Sequence, residues 1–135
     1  MTASGCRVLV VEDHALVTEA MTILLEVDGH EVRSAATVEA SVSVALEWPP
    51  DVMLLDITLP DGNGLEVIER LKDSGAAVPV TIALTGHDDE SVVARCRAAG
   101  CRDVLLKPVP ARLLQQHVRT WADVARQESS RPPRP

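Results

Sequence analysis

The chain predicts an α/β domain built on a doubly wound five-stranded parallel sheet, (βα)5, with strand order 2-1-3-4-5. Short apolar runs bounded by turn residues alternate five times with stretches whose apolar residues recur at helical spacing. The connections are short, and right-handed βα crossovers require each helix to cover a sheet face. Length and composition fit one core, since 135 residues that are 46% hydrophobic make an ordinary single domain.

Residues 8–11 read as an unbroken apolar strand. From 14 to 28, Leu16, Ala20, Ile23, Leu24 and Val27 recur at helical spacing, and Gly29 closes that helix. A short strand near Glu31 to Ser34 leads to a second helix that Thr37 caps. Val38, Val42, Ala45 and Leu46 share its face until Pro49-Pro50 stops it. Asp51 to Asp56 is apolar throughout its middle, as a central parallel strand covered on both faces must be. The turn-rich loop Pro60-Asp-Gly-Asn-Gly64 feeds a third helix with Leu65, Ile68 and Leu71 inward. Pro79 to Leu84 is the fourth strand, about Asp88 to Ala99 the fourth helix with Gly100 past its end, and Asp103 to Leu106 the fifth strand. The last helix starts at Pro110 and groups Leu113, Leu114, His117, Val118, Trp121 and Val124. Residues 127–135, polar and proline-rich, read as a flexible tail or linker.

Composition excludes several classes. A formal charge of −7 offers no basic footprint for nucleic acid. No apolar run is long enough to span a bilayer, and Met1 to Cys6 lacks a signal-peptide pattern, so a cytoplasmic protein with no membrane contact is expected. Cys6, Cys96 and Cys101 form an odd set without CxxC or zinc spacing, and read as buried thiols. Phe and Tyr are absent, and Trp48 and Trp121 supply the only aromatic rings.

In an open parallel sheet the carboxyl ends of the strands share one rim, where ligand chemistry gathers. Glu12 and Asp13 follow the first strand, Asp56 ends the third, Thr85 follows the fourth and Lys107 the fifth. Singly, each has an ordinary explanation as a turn residue, a cap or a solvated charge. Together they put three acids, a hydroxyl and an amine in one place.

The text Val-Leu-Val-Val-Glu12-Asp13, Leu-Leu-Asp56-Ile-Thr-Leu-Pro60-Asp-Gly-Asn-Gly64, Ala-Leu-Thr85-Gly and Leu-Leu-Lys107-Pro108 resembles the receiver domain of two-component response regulators over residues 6 to 126. The spacings are 43 residues from 13 to 56, 29 from 56 to 85 and 22 from 85 to 107. The order 2-1-3-4-5 is the flavodoxin-like order known for that family, so it is no independent support. The resemblance implies that Asp56 accepts a phosphoryl group from the phosphohistidine of a sensor histidine kinase or histidine phosphotransfer protein, switching contact with a downstream effector. Carboxylates about 4 Å apart repel by about 4 kcal/mol at an effective dielectric of 20, so such a cluster calls for a cation. Mg2+ (or Mn2+) is implied, with Asp13, Asp56 and the Thr58 backbone carbonyl as ligands and Glu12 acting mostly through water. Lys107 and Thr85 would meet phosphoryl oxygens, and the bond before Pro108 would be cis. Small aspartyl-phosphate hydrolases want a second acid two residues after the nucleophile, and here that residue is Thr58.

Two positions depart from the family pattern. Val104 stands where many receivers carry the Tyr or Phe that moves with the switch hydroxyl, and Val109 where Phe is common. A small shift of Thr85, leaving through the loop to Ser91, is the expected alternative relay. His87 is expected near the pocket mouth, and Ala15, Val17 and Thr18 on a partner-docking face.

Overall fold

The structure is a computed structural model that describes residues 5–87 and 89–129. Five parallel strands make the main sheet: β1 (Arg7–Val11), β2 (Glu31–Ala35), β3 (Val52–Asp56), β6 (Val80–Thr85) and β7 (Asp103–Leu106), in the order β2-β1-β3-β6-β7. Counted along this sheet alone, that is the expected 2-1-3-4-5. The helices are α1 (Ala15–Val27), α2 (Val38–Glu47), α3 (Leu65–Asp73), α4 (Glu90–Ala99) and α5 (Ala111–Ser129). The loop after β3 holds a small antiparallel hairpin that its turn residues alone did not suggest, β4 (Thr58–Leu59) and β5 (Gly62–Asn63).

Alternation along the strands builds two apolar layers. Leu9, Val11, Met53, Leu55 and Ala83 meet α2, α3 and α4 through Val42, Val67, Ile68, Leu71 and Cys96. Val8, Val10, Leu54, Ile82 and Leu84 meet α1 and α5 through Met21, Leu25, Leu114 and Val118. Every residue of β3 and β6 is buried, as helices on both faces dictate.

Helix α1 packs on a different stripe from the expected one, and α5 keeps Leu114 and Val118 of its expected group in the core. In α1, Leu16, Ile23 and Val27 are 71%, 56% and 75% exposed, while Met21 and Leu25 enter the core. Two apolar rows lie one residue apart on this helix, and periodicity cannot choose between them. In α5, Leu113 faces out and the row Leu114, Val118, Ala122, Ala125 faces in, where small alanines let the helix approach the sheet. His117 and Trp121 flank that row and bind Asp103 Oδ2 at 2.6 and 3.1 Å. Burial works against the Asp103 charge, but hydrogen bonds from Trp121, His117 and the Val104 N–H hold its carboxyl below the usual range.

Helix α5 also runs three residues into the segment expected to be tail, and Arg102 pairs with Glu128 at 2.7 Å. Residues 130–135 lie outside the described residues, as does Asp88, the expected start of α4. Thr37 caps α2 as expected, accepting from the Ala40 N–H at 3.0 Å. Among the described residues no helix is long and apolar enough to cross a membrane.

Candidate functional site

The carboxyl ends of β1, β3 and β7 deliver Glu12, Asp13, Asp56 and Lys107 to one cleft of about 390 Å³, which Thr58, His14, Gly86 and His87 also line. Carboxylate oxygens of Glu12, Asp13 and Asp56 all lie within 4.8 Å of one another. Glu12 and Asp56 are buried, at 3% and 5% exposure, whereas Asp13 is exposed.

Each buried acid is held on both sides. Asp56 Oδ1 accepts from the Thr58 N–H at 2.9 Å, and Oδ2 accepts from Lys107 Nζ at 3.0 Å. Glu12 Oε2 accepts from the His14 N–H at 3.1 Å, and Oε1 lies 2.8 Å from Lys107 Nζ. Among the described residues that Oε1 has no hydrogen-bond partner, so the contact is an ion pair whose strength is Coulombic rather than directional. Burial opposes the charge on Lys107, and the hydrogen bond it donates to Asp56, with attraction from Glu12 and Asp56, outweighs it, holding the ammonium above its ordinary pKa. The Lys107-Pro108 bond is cis.

A hard divalent cation fits this donor set, because three clustered carboxylates are all-oxygen ligands and one ammonium leaves them under-neutralised. Thr58 lines the same cleft.

Thr85 stands beside the cleft, 2% exposed. Its hydroxyl is turned into a local loop, donating to the His87 carbonyl at 3.2 Å and accepting from the His87 N–H at 3.0 Å. Its carbonyl accepts from the Lys107 N–H at 2.7 Å, which ties the ends of β6 and β7 together. Val104 packs half-buried against the layer under α2, α3 and α4.

Sequence reasoning missed the supports of the loop that follows Asp56. Asp61 leaves its own hairpin and accepts from the Val38 and Glu39 N–H groups at 2.8 and 3.2 Å, capping α2 from the far side of a loop. A Pro-Asp-Gly sequence signals a turn, and nothing in it names a partner more than twenty residues away. Gly64 is likewise a contact residue, for a Cβ there would sit 2.1 Å from the Asp56 carbonyl oxygen.

Residues 8–119 match the response regulator receiver domain family. The chain is 37% identical over 113 residues to the KDP operon transcriptional regulatory protein KdpE of Escherichia coli, covering 84% of this chain and 49% of that protein. It is 35% identical over 104 residues to protein PilH of Pseudomonas aeruginosa, covering 76% of this chain and 86% of that protein. The chain spans about half or less of the length of several curated relatives it matches. A CheY-like response regulator receiver domain from Methanospirillum hungatei superposes with a TM-score of 0.82 at 28% identity, covering 93% of this chain and 99% of that one. With acids, lysine and hydroxyl gathered at the sheet rim and this match across most of the sequence, the chain belongs to the receiver domains of two-component response regulators.

Proposed function

We propose that Asp56 is the phosphoacceptor and that the domain catalyses its own phosphorylation and dephosphorylation with Mg2+ (or Mn2+). The observation that carries this reading is the buried Asp56 carboxylate, paired with Lys107 at 3.0 Å and within 4.8 Å of the Glu12 and Asp13 carboxylates. A carboxylate oxygen of Asp56 attacks phosphorus, the bond from phosphorus to the donor's imidazole nitrogen breaks, and the electron pair leaves with the imidazole. Asp13, Asp56 and the Thr58 carbonyl would hold the ion, with Glu12 supporting it through water. When bound, the ion supplies positive charge to the acids and to the oxygens in transfer. Lys107 is already paired with Asp56 and can follow the charge onto a phosphoryl oxygen. Water attack on the resulting acyl phosphate resets the domain.

Switching would use the hydroxyl of Thr85. To donate to a phosphoryl oxygen it must release the His87 carbonyl, so the loop from Thr85 to Ser91 registers occupancy without help from a ring at Val104. The donor is a sensor histidine kinase or histidine phosphotransfer protein of the cytoplasm, and an effector reads the changed surface. The docking side is α1. Of the expected residues there, Ala15 is exposed, Val17 is half-buried and the Thr18 hydroxyl turns back to the Glu12 and His14 carbonyls. The outward row is instead Leu16, Ala20, Ile23 and Val27, which suits a partner helix laid alongside.

Incubation with acetyl phosphate and Mg2+ followed by intact mass tests the assignment. One added phosphoryl group is expected on the wild type and none on Asp56→Asn; a phosphoryl group that persists on the variant rejects it.

A further inference from the structure

We propose that Cys96 and Cys101 form a reversible intrachain disulfide that locks the C-terminal end of α4 to the residues entering β7. The helix ends there on Gly100 at φ 111°. The Gly100 N–H bonds the Arg97 carbonyl and the Cys101 N–H bonds the Cys96 carbonyl, each at 3.0 Å. A helix closed in this way brings the side chains of the first and sixth residues of the closure together. Standard bond lengths across that hydrogen bond keep the two Cα atoms within about 7 Å, and ordinary bond angles bring them inside the range of an unstrained disulfide. Both side chains lie in one apolar layer, at 0% and 5% exposure. Each thiol also influences the other's titration. Cys6 has no such neighbour among the described cysteines: it lies in the other layer, its sulfur 3.6 Å from His30 Nδ1.

The co-reactant is a low-molecular-weight disulfide. One cysteine thiolate attacks it, forming a mixed disulfide and expelling one thiolate, which takes up a proton. The second cysteine then attacks the protein sulfur of the mixed disulfide and expels the other half. The two cysteines lose two electrons and two protons, and the oxidant becomes two thiols. Burial disfavours both thiolates, so exchange proceeds when the helix end opens locally. Lys72 Nζ, 3.4 Å from the Ala99 carbonyl, holds that same end from α3. The crosslink stands independently of the phosphoryl chemistry. Its effect on signalling, through the helix that follows the Thr85 loop, rests on the reading of Thr85 above.

Oxidised glutathione supplied to the folded chain tests it. Trypsin cuts after Arg95, Arg97 and Arg102, so the crosslinked product is Cys96-Arg97 joined to the peptide from Ala98 to Arg102. That pair is expected in the wild type and in Cys6→Ser, with two of three thiols lost to titration, slower amide exchange at residues 97–101, and full reversal by dithiothreitol. Glutathione held on a single cysteine, a bridge that includes Cys6, or reaction that begins only in denaturant overturns the proposal. Since every one of these readouts is available on the wild type, the proposal does not depend on whether a Cys96 variant folds.

Discussion

One ammonium faces three carboxylates at the rim of the sheet, with Lys107 Nζ 3.0 Å from Asp56 and 2.8 Å from Glu12 while Asp13 stands close by. The cluster therefore keeps a net negative charge in a partly dry setting, where like charges are costly. Replacing Asp56 by Asn removes one charge at nearly constant shape. In EDTA we expect the variant to be more stable than the wild type by about 1 kcal/mol, the relief of repulsion exceeding the loss of the Lys107 pair. Mg2+ should reverse the ranking, because an ion that binds only the folded state adds about 2.7 kcal/mol at one hundred times its dissociation constant. Urea unfolding of both chains with EDTA and with Mg2+ measures each effect. A variant that is less stable in EDTA and gains as much from Mg2+ as the wild type would show that the acids do not share an ion. Lys107→Met moves stability the other way. Its ammonium has a raised pKa, so its stabilising contribution is present in full below the ordinary lysine value and fades only as pH climbs through the higher folded one. The variant should thus lose stability at neutral pH and show a flatter decline above about pH 10.5 in circular dichroism melts.

At the scale of elements, the loop after β3 is where local signals and tertiary contacts part company. Gly64 precedes α3 with an αR backbone that any residue can adopt, so its need for glycine is one of space: a Cβ would meet the Asp56 carbonyl oxygen at 2.1 Å and the Ile57 Cα at 2.9 Å. Gly64→Ala must push backbone against backbone, and we expect a loss of about 2 kcal/mol in unfolding free energy together with weaker Mg2+ binding by calorimetry. Unchanged metal affinity would mean that the strain relaxes away from Asp56. Asp61→Ala should raise amide exchange at Val38 and Glu39, the two N–H groups it receives, and leave the Ala40 amide protected by Thr37. The sequence makes the strands, the Thr37 cap and the five rim residues legible because each is a short-range pattern followed by a fixed topology. It leaves α1 ambiguous because Leu16, Ile23 and Val27 and the row of Met21 and Leu25 obey the same period one residue apart. The packing of α1 on the sheet and on α5, whose Gln115 amide bonds the Leu24 carbonyl at 3.1 Å, takes the second row. Asp61 was invisible for the opposite reason: its partners are set by the packing of α2 beside the hairpin, a relation with no local spelling.

Across the whole molecule, both apolar layers carry titratable groups held neutral, and these set the pH range in which the fold is stable. His30 is 7% exposed, its Nδ1 accepts from the Cys6 N–H at 3.2 Å, and among the described residues its Nε2 has no hydrogen-bond partner. Burial, which outweighs attraction from Asp28, lowers its pKa below 6.5. The unfolded chain therefore takes up this proton first, and stability falls as pH drops below 6.5. On the alkaline side burial pushes the Cys6 thiol up to about 11 and the Cys101 thiol up to about 12, from 9.0. Here the unfolded chain releases its protons first, so stability is complete below pH 9 and is lost as pH rises toward 11 and 12. Carboxylates held low by their partners, Asp103 among them, act below the histidine window. Melting midpoints should accordingly form a plateau between about pH 6.5 and 9 and fall by more than about 4 °C on either side. His30→Gln, whose amide oxygen can still accept from Cys6, should flatten the acid limb alone, and the pair Cys6→Ala with Cys101→Ala the alkaline limb alone. If the acid limb survives His30→Gln unchanged, the neutral imidazole is not what limits the fold, and the weight passes to the carboxylates held low by their partners, Asp103 among them.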